Sequence, residues 1–211
     1  MSNGFSAANL PDCYAATEAA AIRSRAGTLV VTLGAGTRGV VLAPISWGDA
    51  CDWKRQALDL ASEGYRVAAL SWGNERGQSM LDAVEALLES GVREVVLVGA
   101  CAGGTAALNQ AARVPQGVKG VVAVSPLVSV AGISVGPAFA DYAGPVLLLG
   151  TDHDPLTPTA ALRDIDRMRP VRSQVIVLKG DQHGADIFNA PAHAPAARRA
   201  LGQFLTTAFG G

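Results

Sequence analysis

The chain has 211 residues, 49% of them hydrophobic and 17% charged, and a formal net charge of −1. That balance suits one domain, 1–211, with a large core and a loosely patterned arm over 1–18. With Lys and Arg scattered, the charge excludes the basic footprint of nucleic-acid or anionic-membrane binding. In chain order, the apolar runs 28–33 and 39–44 read as short strands joined through Gly34-Ala35-Gly36-Thr37-Arg38. So tight a connection implies antiparallel pairing. A helix is expected over 49–63, a strand over 66–70 and an amphipathic helix over 77–90, where Met80, Leu81, Val84, Leu87 and Leu88 recur at helical spacing. Strands are expected ending at Val98 and over 120–124, 145–149 and 174–178, with helices over 158–168 and 195–209. Strands alternating with helices of this length demand a doubly wound, mostly parallel α/β sheet with antiparallel N-terminal strands.

Two stretches invite misreading. Gly34-Ala35-Gly36-Thr37-Arg38-Gly39 has the glycine spacing of a dinucleotide site, but its third glycine enters a strand rather than a helix. No helix N-terminus is then present to hold a pyrophosphate, so the segment is a turn. The interval 120–140 carries no charge, yet Pro126, Gly132, Gly136 and Pro137 break it. It reads as a buried strand and an apolar loop rather than a membrane span. The three cysteines, Cys13, Cys51 and Cys101, are an odd number without CxxC spacing. Reduced thiols in a cytoplasmic setting, with Cys13 and Cys51 inert in the core and no metal site, are the expectation. The first residues have neither a basic n-region nor a continuous apolar h-region, so no secretory leader is expected.

Chemistry concentrates at Gly99-Ala100-Cys101-Ala102-Gly103-Gly104. A β-branched run ends in a Gly-x-Cys-x-Gly turn that opens into the helix-prone segment after it. That strand–elbow–helix context lifts a nucleophile above a sheet. The N–H after the nucleophile, on Ala102, lies at a helix start, where an oxyanion can be stabilised. A nucleophile needs a base and the base needs an orienting acid. His183 follows the run 174–178, on the same rim as the elbow; Asp152 and Asp154 follow the run 145–149 and are both candidates for the acid. Trp47 and Trp72 stand at strand ends on that rim.

In these residues the chain resembles an α/β-hydrolase over roughly 28–208, and its elbow is similar to that of small dienelactone-hydrolase-like members with a cysteine nucleophile. The resemblance implies a Cys101–Asp154–His183 triad, since Asp154 directly precedes Pro155, and an oxyanion loop in which the backbone of Ile45 or Ser46 joins Ala102. Relatives of that branch carry a glutamate in this loop, and Pro44-Ile45-Ser46-Trp47-Gly48 has none. The interval between Ser125 and Gly144 is too short for a large helical cap. Being apolar, it is expected to line an acyl pocket through Phe139, opposite Trp47 and beside Trp72. The function implied is hydrolysis or acyl transfer on a small-molecule ester or thioester through an acyl-enzyme, without metal or organic cofactor. The alternative is a hydrolase-fold binding protein with little turnover.

Overall fold

The computed structural model describes residues 4–114 and 117–210. The chain runs β1 (Phe5–Ala8), β2 (Ala20–Ser24), β3 (Leu29–Leu33), β4 (Arg38–Ala43), a 3-10 turn (Ala50–Trp53), α1 (Lys54–Ser62), β5 (Arg66–Ser71) and α2 (Arg76–Glu89). It continues with β6 (Glu94–Ala100), α3 (Ala102–Gln110), β7 (Val118–Val124), the two-residue strands β8 (Ser129–Val130) and β9 (Ile133–Ser134), and a 3-10 turn (Pro137–Asp141). The last elements are β10 (Val146–Thr151), α4 (Thr159–Arg167), β11 (Gln174–Leu178), a 3-10 turn (Gly184–Phe188) and α5 (Ala194–Ala208).

Among the described residues a nine-stranded sheet has the order β1-β2-β3-β5-β4-β6-β7-β10-β11. It is parallel from β5 through β4 to β11 and antiparallel across β1, β2, β3 and β5. Alternate residues of each strand face opposite layers, so both layers need apolar side chains. Val40, Leu42, Val96 and Val98 face the layer that holds Ala57 and Leu60 of α1 and Leu201 and Leu205 of α5. Val41, Ala43, Val95 and Leu97 face the layer of α2, α3 and α4. This double burial explains the unbroken apolar runs of β6 and β10. Each such buried aliphatic side chain contributes roughly 1.5–3 kcal/mol relative to exposure.

The N-terminal region departs from expectation in three ways. β3 and β4 run in opposite directions but do not pair, because β5 lies between them. The gap of two strand spacings, roughly 9.6 Å, is within reach of a four-residue connection. That connection crosses over the chain entering β5: a Cβ on Gly34 would collide with the Tyr65 carbonyl oxygen, and one on Gly36 with that of Gly64. The two glycines of the false nucleotide motif are therefore crossing-point glycines. Second, Phe5–Ala8 of the arm is an edge strand rather than loose chain. Third, Cys13 and Cys51, 38 positions apart in sequence, form a disulfide with Cα atoms 6.0 Å apart. The expectation of reduced, inert thiols is thus corrected for this pair; Cys101 alone is free among the described residues.

Candidate active site

The elbow follows directly from the small residues around it. Cys101 has φ 51 and ψ −115, a left-handed-side conformation that a side-chain-bearing residue occupies only under constraint. The constraint is packing on both flanks. A Cβ on Gly99 would collide with the backbone of Gly103, and one on Gly103 with the carbonyl oxygens of Ala43 and Pro44. The turn is tied to its neighbours by the N–H of Cys101 donating to the Val124 carbonyl at 2.8 Å and that of Gly103 to the Pro44 carbonyl at 3.1 Å. The thiol is buried.

His183 stands on the loop after β11 and Asp154 on the loop after β10. The Asp154 carboxylate, with its side chain fully buried, lies 2.9 and 3.0 Å from His183 Nδ1. Its Oδ1 also accepts the N–H groups of Leu156 and Thr157 at 2.9 Å each, so the acid is oriented before it meets the imidazole. Asp152 points elsewhere: it holds His153 at 2.7 Å and the Gly180 N–H at 2.8 Å, tying the two loops together at the surface. His193 is placed against Gly180, away from the elbow. Of the two candidate acids, Asp154 is the one brought to His183.

His183 Nε2 is buried without a hydrogen bond of good geometry. The ring and the Cys101 thiol nevertheless shift one another's protonation. Burial pushes the thiol up, but hydrogen bonding to His183 and Ser46, the imidazolium charge and the Ala102 N–H together hold it below the usual thiol value. Burial works against the imidazolium of His183, yet Cys101 and then Asp154 raise it to about 8. Cationic imidazole beside a thiol of lowered pKa is the electrostatic setting of a reactive cysteine.

Ser125, Arg76 and Asp52 gave no sequence signal. Ser125, buried with φ 46, accepts the Gly184 N–H at 3.0 Å on its hydroxyl and the Thr157 hydroxyl at 3.0 Å on its carbonyl. It joins the histidine loop to the acid loop. The Ser46 hydroxyl lies 3.5 Å from Cys101 Sγ. The carbonyls of Ile45 and Ser46 accept from Trp72 Nε1 at 2.9 Å and the Arg76 guanidinium at 2.9 Å, which pins the loop at the elbow. Asp52, four residues beyond the segment Pro44–Gly48 that lacks the glutamate, accepts the Ile45 N–H at 3.3 Å. Burial, followed by its neighbour Asp49 and more weakly Asp186, raises its carboxyl above the usual range, against hydrogen bonds that lower it.

The pocket expected from the sequence is not the one formed. Phe139 is fully buried, with the Arg169 guanidinium over its ring, in the layer around α3. Ile133 and Val135 are buried there too, so this part of the short apolar interval packs onto the α3 layer, while Ala131, Gly132 and Ile133 edge a separate cavity of about 630 Å³ with Arg76 and Asn109. Trp47 is 91% exposed, and Trp72 acts as a hydrogen-bonded strut. A cavity of about 400 Å³ instead adjoins His183, lined by Ile45, Asp52, Leu156, Ala185, Asp186 and Asn189 with Cys51.

This sheet order, with the Cys101 turn after β6 and the Asp154 and His183 loops after β10 and β11, is that of the α/β-hydrolase fold. Solved structures of similar fold include a monoacylglycerol lipase of Paleococcus ferrophilus (TM-score 0.72, 18% identity, 85% of this chain and 98% of that one). An esterase of Pyrococcus furiosus aligns with TM-score 0.72 at 14% identity over 92% and 91% of the two chains. A CIB-like hydrolase from Thermoplasma acidophilum aligns with TM-score 0.70 at 18% identity over 90% and 98%. The sequence profile of the Dienelactone hydrolase family matches residues 70–207, and the chain belongs to that family. No curated protein matches the sequence. Among the described residues no helix is long and apolar enough to cross a membrane.

Proposed function

We propose that this hydrolase cleaves a small ester or thioester through a covalent acyl-enzyme on Cys101. The observation that carries the reading is the row formed at the elbow: a buried thiol of lowered pKa, an imidazole raised to about 8, and a buried carboxylate 2.9 Å from the far ring nitrogen. His183 takes the thiol proton, and the thiolate attacks the carbonyl carbon. The tetrahedral oxyanion is received by the Ala102 N–H and, once released from Asp52, the Ile45 N–H. Collapse expels the alcohol or thiol, which takes its proton from His183. Water, deprotonated by the same imidazole, then attacks the thioester and frees the acid. Asp154 keeps the proton on Nδ1 throughout, so that Nε2 remains the working nitrogen.

The test is intact-mass detection of the acyl-enzyme during turnover of p-nitrophenyl butyrate and a butyryl thioester. The expected adduct maps to Cys101, and Cys101→Ala abolishes both adduct and turnover while remaining folded. Turnover by that variant at the parent rate refutes the proposal. Cys101→Ser should lose most activity, since a hydroxyl needs a stronger base than a thiol. A second reading, a binding protein with little turnover, is favoured by one observation: the Ile45 N–H is engaged by a carboxylate. Stable folding with rapid ligand binding but no acyl-enzyme would select it.

A further inference from the structure

The cavity beside His183 is one-sided in its charge. Two carboxylates, Asp52 and Asp186, lie in its wall, and among the described residues no Lys or Arg lines it. Its remaining side chains are the apolar Ile45, Leu156 and Ala185 and the amide of Asn189, with Cys51. Asp186 is the third residue of the 3-10 turn Gly184–Phe188 that follows His183, and its N–H donates to the His183 carbonyl at 3.3 Å. Asp52 comes from the turn between β4 and α1. The positive group of the site lies on the other side of the oxyanion loop. The Arg76 guanidinium is committed to the Ser46 and Ala131 carbonyls at 2.9 and 2.7 Å and lies over the Trp72 ring.

The chemistry of the proposed reaction says which half of a substrate meets this cavity. The leaving alcohol or thiol must take a proton from His183 Nε2, so it departs on the histidine's side of the elbow. We infer that the cavity is the leaving-group subsite and that Asp52 and Asp186 select an alcohol or thiol carrying an ammonium group. Carboxylates attract such a cation in a partly enclosed space, and Ile45, Leu156 and Ala185 accommodate the methylene or methyl groups that surround it. An anionic leaving group meets the same two charges as repulsion. The inference rests on His183 being the proton donor to the leaving group.

Three substrates with one acyl group read the selection directly: butyrylthiocholine, its neutral isostere 3,3-dimethylbutyl thiobutyrate, and the butyryl thioester of 3-mercaptopropionate. The expected order of kcat/KM is cationic, neutral, anionic, with steps of about fivefold to tenfold at low ionic strength. The steps should shrink with added salt. Asp186→Asn and, separately, Asp52→Asn should each reduce the cationic-to-neutral quotient by about threefold or more. Because the quotient is taken within one variant, a general loss of rate cancels, and if one variant does not fold the other decides. Equal rates for cationic and neutral substrates in the parent enzyme overturn the inference and leave the esterase reading standing. Absence of any Cys101 acyl-enzyme overturns the esterase reading instead. In that case, labelling of Cys101 by trimethylammonioethyl and sulfonatoethyl methanethiosulfonate decides the inference without turnover. Faster cationic labelling that falls in Asp186→Asn supports it, and a quotient unchanged by the substitution overturns it.

Discussion

Replacing Asp154 by asparagine changes one atom, and the structure dictates how the new amide must lie. Oδ1 accepts two backbone N–H groups, from Leu156 and Thr157, at 2.9 Å each. An amide nitrogen in that place would set donor against donor, so the asparagine oxygen must take it. The NH₂ group then occupies the place of Oδ2, 2.9 Å from His183 Nδ1. At the nearer place Nδ1 then meets a donor, and the oxygen 3.0 Å away is already shared between two N–H groups, so the tautomer with the ring proton on Nε2 is favoured and the imidazole presents a donor to the thiol it should deprotonate. In a comparable triad this wrong tautomer costs about 10⁴-fold in kcat, and a loss of about 10³-fold to 10⁴-fold is expected here. The stability loss should be modest, about 1.5–3 kcal/mol, because only the charge-assisted bond to the ring is given up. The assay is steady-state hydrolysis of p-nitrophenyl butyrate with the pH profile of iodoacetamide labelling at Cys101, whose thiolate limb should move to higher pH in the variant. Asp152→Asn, whose carboxylate serves only surface contacts to His153 and Gly180, is the control and should keep activity within about threefold. A variant at Asp154 within tenfold of the parent, or a large loss on Asp152→Asn instead, would refute the reasoning.

Three further outcomes follow from the same contacts. His183 is raised to about 8 from an ordinary 6.5, so its pairing with Cys101 and Asp154 stabilises the fold fully below about pH 6.5 and is lost as pH rises through about 8. Thermal midpoints should fall across that window in the parent protein and less so in His183→Gln. Phe139→Ala removes a fully buried ring and should cost about 3–5 kcal/mol in urea unfolding. It should leave the ratio of KM for long and short acyl esters unchanged, and a change in that ratio would restore Phe139 to the pocket. Cys13→Ser opens a tie that closes 38 positions of chain and should cost about 2–4 kcal/mol in stability, seen as a lowered Tm, with Cys101 labelling unaffected.

The strands and loops that carry Cys101, Asp154 and His183 were legible because their signals are local. The apolar runs of β6, β10 and β11 announce buried parallel strands, and the elbow glycines flank Cys101 within five residues. The acid loop carries its own Asp-Pro signature. What escaped the sequence depends on contacts between distant segments. Asp52 reaches Ile45 through the turn Ala50–Trp53, where a helix was expected to begin at Asp49; Asp49 instead caps that turn by accepting the Cys51 N–H at 2.7 Å. Ser125 looks like an ordinary strand-end serine until the loops carrying Thr157 and Gly184 close on it. The disulfide joins an arm without periodicity to that same turn, and Phe139 was placed at the rim because an apolar loop looks alike whether it faces a cavity or packs against α3.

The insertion of β5 between β3 and β4 has a consequence for how the molecule comes apart. β3 and β4 are neighbours in sequence yet share no ladder, and the local hairpin that β3 does form, with β2, leads away from the parallel strands. The two come into one sheet only when β5 arrives after α1, a closure of greater sequence separation and hence slower. In the finished fold β5 is a seam: the β1–β2–β3 flank meets the parallel strands that carry the elbow through that one ladder. Cys13 lies on the flank side between β1 and β2, and Cys51 lies beyond β4 on the catalytic side. The disulfide is therefore a staple across the seam. Reduction removes the covalent tie and leaves the buried bonds of Ser24 and Thr28 to Asp82 of α2, so the flank is the part expected to loosen first.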